Sequence, residues 1–171
     1  MKEQSARLKG SGEAALAAEE GKYLTFALGE EEFGIGILKV KEIIGMMPIR
    51  PIPKTPDFVK GVINLRGKVI PVIDLRRRFH LAEKPYDDRT CIIVVEVRDV
   101  SGHANMGVVV DSVNEVANIR DEQLEGVPSF GISLDTAYIL GMAKTGEGVR
   151  ILLDIDRVFS SEELEQLGQA A

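Results

Sequence analysis

The chain contains no tryptophan, a single cysteine and only two histidines, and each scarcity closes off a class of function. Cys91 alone cannot form an internal disulfide, and it heads the apolar run Cys91-Ile92-Ile93-Val94-Val95, where a small buried thiol is expected. His80 and His103 stand apart, with no Cys-x-x-Cys or His-Glu-x-x-His spacing to gather a metal. No metal and no cofactor is expected. Cationic residues are outnumbered: 21 Lys and Arg against 27 Asp and Glu leave a net charge of −6, which argues against nucleic acid as the principal partner. No apolar run reaches the roughly 18 residues of a membrane span, and the first residues lack the hydrophobic stretch of a signal peptide. These absences lead us to expect a reducing, cytoplasmic setting without membrane insertion.

Catalytic signatures are missing as well. Gly10-Ser11-Gly12-Glu13-Ala14-Ala15 has dinucleotide-loop spacing, but no strand precedes it and no βαβ unit encloses it. Neither a phosphate-binding Gly-x-x-x-x-Gly-Lys-Ser/Thr nor a Gly-x-Ser-x-Gly elbow occurs. Asp74 and Asp154 each follow an apolar run and precede a short helical stretch, where a carboxylate caps free N–H groups more readily than it serves as an acid or base. The chain reads as a non-enzyme.

What is present is a β-branched interior. Hydrophobic residues make up 44% of 171 and aromatics only 5%, so Val, Ile and Leu must build the core, which favours strands. Residues 1–21, rich in Ala, Glu, Lys, Gly and Ser, read as a flexible tail. Tyr23–Leu28 and Phe33–Ile37 form a hairpin across Gly29. Residues 38–44 fit either a strand or a helix with Val40 and Ile43 on one face. Met46–Pro53, with three prolines, suits an edge or an extended crossing, and Thr55-Pro56-Asp57 has the residues of a helix start. Ser160-Ser161-Glu162-Glu163 is a capping box opening a last helix over 160–168.

The stretch Gly61–Phe79 organises the rest. Two apolar runs meet at Leu65-Arg66-Gly67-Lys68, a tight turn with Arg66 at its tip, and Asp74 then caps the basic run Arg76-Arg77-Arg78. That basic run is expected to be a solvated face paired with neighbouring acids. The plan recurs: Gly61, Asp74 and Phe79 match Gly141, Asp154 and Phe159 at an offset of 80, and Gly34, Val40 and Glu42 match Gly107, Val113 and Glu115 at an offset of 73. Two units of this size with short strands suggest two small barrels sharing apolar surface, approximately 22–88 and 89–159. The second copy has no arginine at its turn. A lone arginine at a hairpin tip suits protein recognition as readily as local structure.

Phe33-Gly34-Ile35-Gly36-Ile37-Leu38-Lys39-Val40-Lys41-Glu42-Ile43 and Lys60–Arg76, with Gly107–Asp111, Pro128-Ser129-Phe130 and the Ser-Glu-Glu of the last helix, closely resemble the CheW family of bacterial chemotaxis coupling proteins. The resemblance spans about residues 22–168. It implies a mainly β fold of two intertwined SH3-like five-stranded barrels with short helices and a C-terminal helix. It also implies a non-enzymatic adaptor that links the cytoplasmic tips of methyl-accepting chemoreceptors to the regulatory domain of a CheA-type histidine kinase, in receptor arrays at the inner membrane. A small double-barrel module for ligands or nucleic acid is the alternative. Carried over position by position, the resemblance places receptor contacts at Val40, Glu42, Gly61 and Arg66 and a kinase ring contact at Phe130. From the residues alone, Val40 is equally a core residue, Gly61 a backbone requirement and Phe130 a structural aromatic. Gly36 and Glu125 depart from the family, standing where relatives often carry a polar and a basic residue respectively.

Overall fold

The computed structural model describes residues 18–99, 102–126, 138–146 and 148–158. The expected C-terminal helix over 160–168, Phe130, Phe159 and the chain before Ala18 lie outside the described residues. Residues 18–21, read from sequence as tail, belong to the fold: Ala18 is buried, the Tyr23 hydroxyl donates to the Glu19 carbonyl at 2.6 Å, Glu20 accepts from the Asp121 amide, and Gly21 opens the first strand.

Among the described residues eleven strands run in chain order: β1 Gly21–Leu28, β2 Glu31–Gly36, β3 Val40–Gly45, β4 Val59–Leu65, β5 Lys68–Asp74, β6 Cys91–Asp99, β7 Gly102–Val110, β8 Ser112–Ile119, β9 Leu124–Glu125, β10 Ile139–Thr145 and β11 Gly148–Leu153. One-turn helices α1 Leu75–Arg78 and α2 Ile155–Val158 follow β5 and β11, and a 3₁₀ turn, Ile37–Lys39, joins β2 to β3. The strands form two sheets, in the orders β9-β10-β11-β2-β1-β8 and β3-β6-β7-β5-β4. The fold is mainly β, as the residues imply. Each sheet draws strands from both sides of the expected division at 88 and 89. Every described passage between the sheets occurs at one of two places, Ile37–Lys39 and Asp111.

The register makes the internal repeat physical. Where the copies interlock, β5 lies parallel to β7 with Val72 opposite Gly107, and β11 lies parallel to β2 with Leu152 opposite Gly34. A Cβ on Gly107 would meet side-chain carbons of Ile92 at 2.9 Å and Val72 at 3.2 Å, and one on Gly34 would meet Leu152 at 2.9 Å. Both glycines are therefore fixed by the same close approach of strands. Bulges recur too, between Val40 and Glu42 opposite Val95 and Val94, and between Val113 and Glu115 opposite Phe26 and Thr25. The Asp74 amide donates to the Phe58 carbonyl and the Asp154 amide to the Tyr138 carbonyl, each at 2.8 Å. As expected of caps, Asp74 accepts from the Arg76 amide and Asp154 from the Asp156 amide.

Three apolar clusters follow from this weave. The largest joins both sheets and includes Phe26, Ile35, Ile73, Leu75, Ile93, Val95, Val108, Leu153 and Ile155. Each sheet adds a smaller cluster, one around Ile63, Val72 and Ile92 and the other around Tyr23, Ala143 and Leu152. The shared cluster holds the two sheets as one body, because neither could be removed without exposing it.

Several local expectations change. Residues 40–45 are extended, and Ile43 is 43% exposed, so the helical face shared with Val40 does not form; pairing to β6 outweighs the ambiguous local pattern. Thr55-Pro56-Asp57 starts no helix: the Val59 amide donates to the Pro56 carbonyl, closing a turn that leads straight into β4 and leaves no length for one. The Met46–Pro53 crossing contributes one bridge, Arg50 to Val62. Cys91 is half-buried, its thiol donating to the Arg89 carbonyl.

The basic run is also not a solvated face. Arg76 meets Asp111 through two hydrogen bonds, 2.8 and 2.7 Å, with side chains only 14% and 13% exposed, and also donates to the Ala82 carbonyl. The Arg78 guanidinium lies over the rings of Phe58 and Tyr138, 4.8 and 4.7 Å from their centroids, and donates to the Val158 carbonyl. Phe58 and Tyr138 are matched residues, so Arg78 ties the two copies together. Only Arg77 behaves as expected, pairing with Glu83 at 2.6 Å.

The Arg76 hydrogen bonds, outweighing burial and joined by the Gly29 amide, hold the Asp111 carboxyl below its ordinary range. A lowered folded value adds stability above the unfolded carboxylate pKa of about 3.9, and that stability is lost as pH falls through the folded value. Arg76→Ala should cost about 2–4 kcal/mol at neutral pH, by leaving the nearly buried Asp111 carboxylate with only the Gly29 amide and a long contact to Lys84 at 4.0 Å. Thermal unfolding from pH 7 down to 3 checks this: the gap between the parent and the variant should narrow below about pH 4.

Candidate protein interaction site

The candidates Val40 and Glu42 on β3, Gly61 on β4 and Arg66 in the turn after β4 come from opposite edges of the five-stranded sheet. Curling brings those edges together. Among the described residues no backbone ladder joins β3 to β4, but Arg66, at the β4–β5 turn, pairs through Nη2 with Oε2 of Glu42 on β3. Ile44, Met46, Met47 and Ile49 fill the concave side against Ile63, Ile70 and Val72, which sets the curl by packing.

The turn that carries Arg66 is unusual in its backbone. Arg66 has φ 53° and Gly67 φ 87°, the doubly left-handed conformation of a type I′ hairpin. A left-handed conformation is unfavourable for a residue with a Cβ, and two side-chain contacts oppose that cost. Asn64 accepts the Gly67 amide at 2.9 Å, and Glu42 holds the guanidinium. The Arg66 side chain is 69% exposed and that of Glu42 33%, so most of the pair faces outward, where another molecule can compete for it.

Gly61 has a different role. Its φ is 141°, and a Cβ there would lie 2.0 Å from the Arg50 carbonyl oxygen and 2.9 Å from Cα of Pro51. The 46–53 crossing passes directly over it, held by hydrogen bonds of 2.8 and 2.9 Å between Arg50 and Val62. This crossing borders a hollow of about 560 Å³ lined by residues that include Pro48, Ile49, Pro51, Val62 and Val69. Val40 is half-buried against the shared core and paired with Val95. The structure thus unites Glu42 with Arg66 and makes Gly61 a condition of the local backbone. Of the two family departures, Gly36 has open space where a Cβ would stand, and Glu125 pairs with Lys144 at 2.9 Å.

The second copy provides the comparison. Glu115, in register with Glu42, binds Arg150 at 3.1 Å, and Arg150 also holds Glu32 at 2.8 Å from a side chain 15% exposed. Its turn has Gly146, φ 57°, in place of Arg66. One glutamate is bound into a three-residue network and its counterpart to a tip.

A family model described as "CheW-like domain" matches residues 22–163. The chain belongs to the CheW-like family. It is 43% identical over 150 residues to the chemotaxis protein CheW of Klebsiella aerogenes, covering 88% of each chain, and 35% identical over 157 residues to that of Treponema pallidum, covering 90% of each. Among solved structures, the scaffolding protein TtCheW of Thermoanaerobacter tengcongensis matches with TM-score 0.75 and 36% identity, over 84% of this chain and 95% of that one. This CheW-like chain therefore shares its fold with a protein described as a scaffold. Among the described residues there is no group of three or more His, Cys, Asp or Glu arranged to hold a metal, and no helix long and apolar enough to cross a membrane.

Gly61→Ala should lower stability by about 3 kcal/mol or more, since both the left-handed φ and the Arg50 contact oppose a side chain. Gly36→Ala should change it by less than about 1 kcal/mol. Denaturant midpoints of the two variants check the contrast.

Proposed function

We propose that this chain is a non-enzymatic adaptor that couples the cytoplasmic tips of chemoreceptors to a CheA-type histidine kinase. The observation that carries this reading is the Glu42–Arg66 pair at the meeting of two sheet edges, in a chain of the CheW-like family. Val40, Glu42 and Arg66 form the receptor-binding edge, and Gly61 supports it through the backbone it permits. Phe130 contacts the kinase's regulatory domain, a role inferred from family resemblance alone. The protein works in the cytoplasm at receptor arrays of the inner membrane.

The chemistry supports such a role. An exposed pair contributes at most about 1 kcal/mol to folding, so it can be exchanged for contacts to a partner at small cost. An Arg guanidinium at a hairpin tip offers a planar fork to carboxylates and carbonyls of a receptor helix. Reconstitution tests the proposal: with receptor cytoplasmic fragments and kinase, the protein should co-sediment in a ternary assembly and alter kinase autophosphorylation. Arg66→Glu should weaken receptor binding about tenfold or more while leaving Tm nearly unchanged. A large fall in Tm would make Arg66 structural, and an absent ternary assembly would overturn the adaptor reading.

A further inference from the structure

The two passages between the sheets are clamped by the same device with its charges exchanged. At the second passage the carboxylate lies on the crossover: Asp111 accepts the Gly29 amide at 2.7 Å and pairs with Arg76 of α1. At the first, the carboxylate lies on the helix: Asp156 of α2 accepts the Arg98 amide at 2.9 Å and pairs with Lys39 of the crossover at 2.7 Å. Arg76 and Asp156 are matched at the offset of 80, and the offset of 73 matches Leu38 with Asp111. The exchange therefore leaves position 38 free of any part in the clamp.

Leu38 fills that position and is 94% exposed. Of the other exposed apolar residues described, Leu81 and Tyr86, at 39% and 40%, lie in the connection between α1 and β6, and the rest are duplicated by the repeat: Ile43 with Val116, at 43% and 51%, and Val69 with Val149, at 59% and 49%. They belong to the shared plan. Leu38 has no apolar counterpart, and the turn bearing it is held on one side by the Lys39–Asp156 pair and continues on the other into Val40 and Glu42. A leucine side chain held almost wholly in water on an ordered turn is unfavourable in the free protein, and burial of its apolar area against a partner would relieve that.

We propose that Leu38 is an anchor for the receptor helix, extending the Val40–Glu42 edge, and that Lys39 and Asp156 are positioning residues that present it. The assignment rests on the receptor-binding reading above. The two side chains of the latch are only 33% and 28% exposed, so they hold the turn from beneath and leave its tip to the partner.

The test is binding of the full chain to a receptor cytoplasmic fragment and, in parallel, to the isolated regulatory domain of the kinase, with Tm recorded for every variant. Leu38→Asp should reduce receptor affinity about tenfold with little change in Tm, because the residue touches almost nothing in the free protein. Lys39→Glu should reduce it about fivefold, and the charge-reversed double variant Lys39→Glu/Asp156→Lys should return to within about twofold of the parent. Arg66→Glu is the control for the receptor reading. If Arg66→Glu weakens binding and Leu38→Asp does not, the anchor is overturned; if both bind as the parent does, the receptor reading falls with it. Loss confined to the kinase domain also overturns the assignment. A double variant as weak as Lys39→Glu alone would make Lys39 a direct contact and refute the latch.

Discussion

The Arg76–Asp111 pair sits where the chain leaves the five-stranded sheet for the six-stranded one, and much of the architecture depends on its being satisfied there. Withdrawing two charges from water is costly, and a single contact would not offset it. Here the carboxylate receives both guanidinium bonds and the Gly29 amide, while the remaining guanidinium nitrogen donates to Ala82. The pair therefore joins β7, α1 and the β1–β2 turn at a single point. With that point fixed, β8 is directed onto β1 and β7 stays beside β5, which places Gly107 against Val72. Arg78 then uses the same helix to bridge Phe58 and Tyr138.

Interleaving follows from this geometry and explains why a chain made of two similar halves behaves as one body. β2 completes its sheet against β11, more than a hundred residues later in the chain. Most of the structure-defining contacts are thus long-range, and neither copy can close its apolar face alone. Small barrels of 60–70 residues bury too little surface for secure independent stability; the shared cluster from Phe26 to Ile155 makes up the difference.

The repeat was legible in sequence because its markers are residue types that the fold cannot exchange. A capping aspartate serves the turn that follows it, and Gly34 and Gly107 leave no room for a side chain, so the marks show in the sequence although the strands pressing on those glycines lie far along the chain. The partners of Arg76 and Arg78 were not legible: Asp111 lies 35 residues beyond Arg76, and the carbonyl that Arg78 binds lies 80 residues away. Three consecutive arginines look like a solvated face until the fold closes around them. Residues 38–44 were ambiguous for another reason, since a β-branched run with polar residues between fits strand and helix alike, and only pairing to β6 decides between them. Of the candidate site, the turn at Arg66 was visible, whereas its pairing with Glu42 depends on the curl of a whole sheet.

Duplication also shows which differences between the halves are open to function. Interior positions must keep the shared weave intact, so Gly34 and Gly107 remain alike. Surface positions carry no such restriction, and there the copies diverge. Glu115 is held by Arg150 and gives up its freedom to a network with Glu32; Glu42 shares its arginine with the solvent. Gly146 takes its left-handed turn without strain, whereas Arg66 adopts one at a cost that Asn64 and Glu42 offset. A fold that needed only a hairpin would use the glycine, as its second copy does. The first copy keeps an arginine in an unfavourable backbone conformation, and the guanidinium it projects is what the scaffold alone does not require.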